Sequence, residues 1–215
     1  MGLDIHVMRP KRLFLRDYEL PVQRLLPDVE VRLLGVAPLN DFDAGVAEGD
    51  IVKTLRLRQL DQEQHRYVLP ANNEILFSAR VSYQAFNLLR EFAAFFDHPQ
   101  RLFLLWSPRA FGDGYDVNSL ASLRWAWRRQ RSRFPHLVFH EDNRGFFFPT
   151  RLAQPVPSAY GFLGASSNLR QELTTLHEHL NQAPRHREAL TEAIVLLQRA
   201  AETSEQSGLP IVFDG

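Results

Sequence analysis

Eight histidines, at positions 6, 65, 98, 136, 140, 177, 179 and 186, lie closest to metal or acid–base chemistry in this 215-residue sequence. His177 and His179 flank Glu178, but residues two apart on a helix point about 200° away from each other and cannot share a metal. The H-E-x-x-H motif of zinc peptidases is absent. Asp4 and His6 alternate onto one face of an opening strand. Convergence with His140 and Asp142 would give them a metal-assisted hydrolase or transferase site. The plainer reading is of surface histidines and turn acids.

Residues 38–50, PLNDFDAGVAEGD, carry Asp41, Asp43, Glu48 and Asp50 and no basic residue. With glycines at 45 and 49, the stretch reads as a flexible acidic loop. An EF-hand loop starting at Asp41 would place Gly45 and Val52 where calcium needs oxygen ligands, so that pattern fails. The functional use expected for the loop is an acidic patch facing a basic protein. Asp41, Asp43, Glu48 and Asp50 are then the partner-binding charges.

Arg124, Arg128, Arg129, Arg131 and Arg133 accompany Trp125 and Trp127, residue types found on nucleic-acid surfaces. Trp127 shares an apolar helical stripe with Leu120 and Leu123, which makes the arginines the solvated side of a helix. Formal net charge is +0, so no long-range field draws a polyanion. Nucleic acid is not expected as a partner. Gly164-Ala165-Ser166-Ser167 lacks the glycine at 168 that a nucleophile elbow needs, and its serines read as helix caps. With Cys 0, thiolate catalysis and cysteine-ligated zinc are excluded. No catalytic residue and no cofactor is implied.

The elements that would position these residues follow from periodicity. Leu3, Ile5 and Val7 alternate with Asp4, His6 and Met8 as a half-buried strand ended by Pro10. A short helix fits within 11–28, and strands are expected at 29–36, 51–60 and 65–69. A helix over 79–97 carries the stripe Val81, Ala85, Leu88, Leu89, Phe92, Phe95 and Phe96. The run 101–106 is a strand or part of a helix, 107–116 is a loop, and a helix runs on to about 134. Residues 137–140 and 145–148 are expected to form a hairpin across EDNRG. Leu169, Leu173, Leu176 and Leu180 mark one late helix. Leu190, Ile194, Leu197 and Ala201 mark another, which stops before Gly208. Residues 210–213 close the chain as a strand.

Together these elements predict a single α+β domain over 1–215, a mostly antiparallel sheet with several helices packed on one face. Hydrophobic residues make up 45% of the chain, enough for a sizeable core. No apolar run approaches the roughly 20 residues that span a bilayer, and no signal peptide is visible, so no membrane partner and a cytoplasmic location are expected.

The opening Met1-Gly2-Leu3-Asp4-Ile5 resembles that of small bacterial proteins beginning MGLD, most of them uncharacterised. So does the aromatic strand 146–149 followed by the Gly164–Ser167 turn into a leucine helix. Some such proteins are candidate immunity proteins. The resemblance implies a non-enzymatic protein-binding module that neutralises a toxin encoded nearby by occluding it. It brings no catalytic residues.

Overall fold

The computed structural model describes residues 2–16, 38–61, 67–97, 131–140, 144–183 and 186–215. The expected strand at 29–36, the run 101–106, the loop 107–116 and the helix after it as far as residue 130 lie outside these residues. So do Trp125, Trp127, His65, His98 and the hairpin turn with Asp142. Residues 131–134, the expected end of the helix after 116, are not helical.

The protein is α+β. Strands β1 (Gly2–Val7), β2 (Phe77–Ser82), β3 (Gly145–Phe148), β4 (Val156–Ser158), β5 (Gly161–Ala165) and β6 (Ile211–Asp214) form one sheet. Its order is β2-β1-β6-β3-β5-β4, antiparallel except where β3 pairs with β5. Helices α1 (Pro10–Leu15), α2 (Asp41–Asp61), α3 (Tyr83–Asp97), α4 (Pro135–Val138), α5 (Ser166–Glu178) and α6 (Arg187–Ser207) complete the described elements, with a 3-10 turn at Leu180–Gln182.

The period-2 alternation of β1 divides the core. Leu3, Ile5 and Val7 join Phe147, Phe162, Ile211 and Phe213 beneath α3, α4, α5 and α6. On the other face Met8, Phe146, Phe148, Leu163 and Val212 pack against Leu13 of α1 and Ile51 and Leu55 of α2. The three phenylalanines of β3 thus serve both layers, which is why a continuous aromatic run suits a central strand.

Two expected boundaries shift. Residues 137–140 are not a strand: Pro135 starts the single-turn helix α4, and β3 takes β5 and β6 as neighbours instead. Residues 77–82, at the head of the expected helix, form the edge strand β2 against β1. Residues 67–69, the described part of the strand expected at 65–69, form no strand, while the late leucine stripes of α5 and α6 are buried as expected. α6 ends at Gly208, whose φ of 76° suits glycine and whose N–H donates to Ser204 O at 2.9 Å. β6 inserts between β1 and β3 at the middle of the sheet.

No described helix is long and apolar enough to cross a membrane.

Candidate partner-binding face

The acidic stretch is not a loop. Residues 41–50 form the first half of α2, and the expected strand at 51–60 continues the same helix. Asn40 starts it: Asp43 N–H donates to Asn40 Oδ1 at 2.9 Å, and Asn40 Nδ2 returns a bond to Asp43 Oδ2 at 2.7 Å. Ala44, Ala47, Ile51, Val52, Leu55 and Gln59 recur at helical spacing and are all buried. Two glycines and four acids hide that stripe from a compositional reading, and the alternation of Leu55 and Leu57 with Arg56 and Arg58 imitates a strand. Carboxylates in a first turn also suit the positive end of the helix dipole.

Helix phase then sorts the four acids. Glu48 lies on the buried stripe, only 6% exposed. It accepts from Arg9 Nε at 3.3 Å and from the Lys11 backbone N–H at 3.0 Å, and Arg9 Nη2 closes a second contact. This carboxylate ties α2 to the start of α1 and is withdrawn from the surface. Asp41, Asp43 and Asp50 face solvent. Asp41, 82% exposed, meets Lys11 Nζ at 2.8 Å.

Between those aspartates stands an apolar face. Phe42 is 78% exposed, Val46 48% and Leu57 56%, at the i, i+4, i+15 spacing of one side of the helix. A Cβ added at Gly45 or Gly49 would meet nothing within 4 Å.

The proposed metal constellation does not assemble. Asp4 and His6 point to the α1/α2 side of the sheet. Both oxygens of Asp4 are taken by Arg80, at 2.7 and 2.8 Å, and His6 Nδ1 sits 3.1 Å from Ser78 Oγ. His140 lies on the opposite face, stacked on Phe147 and surrounded by Phe86, Phe162 and Phe213. The sheet itself separates them, and Asp142 lies outside the described residues. No group of three or more potential metal ligands exists among the described residues.

Sequence reasoning missed a different carboxylate pair. Asp4 and Asp214 are direct neighbours across β1 and β6, both buried. Arg80 answers the first, while Arg16 and, at 3.7 Å, Arg144 answer the second. Burial first, then these two carboxylates, push the nearby Tyr83 hydroxyl above its ordinary value. Each acid is matched by a cation, which is the arrangement of a structural network. Only the strand register brings residues 4 and 214 together.

At the start of α5 the serines do not cap. Ser166 Oγ donates to Phe148 O and Ser167 Oγ to Thr150 O, fastening the helix to the exit of β3. A polar groove of about 570 Å³ opens beside them, between Arg151 and Thr174. Arg170 there is paired with Glu205 at 3.0 Å.

A family model described as "Putative DNA-mimic protein" matches residues 1–213. The chain belongs to this family. No curated protein and no solved structure matches it. Membership in the DNA-mimic family overturns two expectations: toxin neutralisation as an immunity protein, and the metal-assisted hydrolase or transferase. The toxin encoded nearby falls with the first.

Proposed function

We propose that this protein acts as a DNA mimic, occupying the DNA-contacting surface of a DNA-binding protein so that protein and duplex cannot pair. The observation that carries this reading is family membership over nearly the whole chain. A formal net charge of +0 removes a global field from the account, so mimicry must come from a local arrangement of carboxylates. The solvated aspartates of α2 supply one, held on a helix whose other side is buried.

The test is competition. The tagged protein captures partners from the native cell lysate, and labelled duplex DNA is then titrated onto each purified partner. Mutually exclusive binding is expected. A partner that holds the duplex and this protein at once, or partners without DNA affinity, would overturn the reading.

A further inference from the structure

We propose that the outward face of the N-terminal half of α2 seats the cationic DNA-binding surface of the partner. Phe42 and Val46 form its centre, with Asp43 and Asp50 along its border. This rests on the DNA-mimic reading and says where on the molecule the mimicry takes place.

Phe42 is the most exposed large hydrophobic side chain among the described residues, yet it sits on a firmly held helix. The Asn40 cap, the Glu48–Arg9 pair and the buried Ala44, Ile51 and Leu55 fix α2 from the side opposite Phe42. Phe42 with Val46, one turn on, makes a contiguous apolar patch on a fixed element, which suits a contact surface.

Charge selects the occupant. Within residues 41–50 every ionisable side chain is acidic, and the first cation of α2 is Lys53. Asp43 and Asp50, seven residues apart, share one side of the helix about 10 Å apart along its axis. The exposed stripe of α6 differs: Glu188, Glu192 and Glu202 share it with the cation Arg199. A cationic surface therefore fits α2 better than α6. The open space over Gly45 and Gly49 lets a partner guanidinium or ring approach the helix backbone.

Magnitudes give the apolar centre its role. A duplex presents one charge per about 1.7 Å of axis, whereas Asp43 and Asp50 offer two over about 10 Å, Asp41 being met by Lys11. Charge alone cannot match DNA, and Phe42 with Val46 adds apolar contact that a phosphate backbone lacks. Binding to the partner should therefore fall less steeply with salt than DNA binding does.

Lysate proteins held on immobilised duplex DNA provide the test, with this protein added as eluant at fixed salt. Wild type is expected to release a discrete DNA-binding protein. The double variant D43N/D50N and the single variant F42S should each need at least about tenfold more protein for equal release. E188Q/E192Q should behave as wild type, and circular dichroism confirms that each variant is folded. Equal release by wild type, D43N/D50N and F42S would overturn this assignment while leaving DNA mimicry standing. No release by wild type would overturn both. Self-association that F42S abolishes, with release unchanged, would assign the face to a second copy of the chain and overturn the proposal.

Discussion

Glu48 of α2 turns inward to Arg9. Helix phase puts this glutamate on the buried stripe with Ala44, Ile51 and Leu55 and leaves Asp41, Asp43 and Asp50 outside it.

Removing the anchor should affect folding more than surface chemistry. E48Q weakens the Arg9 pair and the bond from the Lys11 backbone N–H, and we expect a loss of about 1–3 kcal/mol. D50N, on the solvated side, should stay within about 0.5 kcal/mol of wild type, and D43N, which gives up a first-turn charge and weakens the bond from Asn40, should lose about 0.5–1 kcal/mol. Urea denaturation of the three variants compares them directly.

Tyr67 should resist alkaline titration. Its hydroxyl donates to Gly208 O at 2.7 Å, and burial first, with Glu48 adding, drives its pKa well above the ordinary tyrosine value. A raised folded pKa means this stabilisation is complete below the unfolded value, about pH 10, and is lost as pH rises through the folded one. Absorbance titration should show a late phenolate that appears with unfolding, and Y67F should lack it. A Tyr67 that ionises near pH 10 in the folded protein would contradict the burial argument.

Glu172 holds α4 in place from α5. One oxygen accepts the His136 N–H at 3.0 Å and contacts His136 Nδ1 at 2.9 Å, while the other accepts the Leu137 N–H at 3.1 Å. An amide at this position sets its own N–H groups against those donors, so E172Q should cost about 1–3 kcal/mol. Burial is the largest influence on this carboxyl and raises its pKa, with the bonds from His136 opposing. The folded state thus keeps the proton to higher pH than the unfolded chain, and the linked stability is lost as pH rises through the folded value. The gap between wild type and E172Q should widen as pH falls toward the ordinary carboxyl value of 4.5, read by urea denaturation.

Glycines on the two layers should respond with opposite signs. A Cβ at Gly164 would lie 2.7 Å from the Phe147 ring, which is itself wedged against His140, Phe162 and Phe213. G164A should cost about 1–3 kcal/mol. At Gly45 and Gly49 nothing obstructs a methyl, so G45A and G49A should each raise stability by about 0.5–1 kcal/mol through helix propensity. Thermal melts of the three variants show both signs.

Local periodicity determined much of this protein. The alternation of β1, the leucine stripes of α5 and α6, the αL stop at Gly208 and the closing strand β6 are all legible, because each pattern repeats within one element. The acidity of residues 41–50 is legible in composition, while the helix that carries it and the burial of Glu48 are not. Tertiary structure alone decided the rest. Residues 41–61 become a helix because Ala44, Ile51 and Leu55 bury together against the sheet, outweighing two helix-interior glycines. β3 takes β5 and β6 in place of a local hairpin, and strand pairing sets Asp4 beside Asp214 across the length of the chain. The sheet also keeps Asp4 and His6 apart from His140. A side chain's face and partner depend on contacts between residues far apart in sequence, and no window of neighbouring residues contains them.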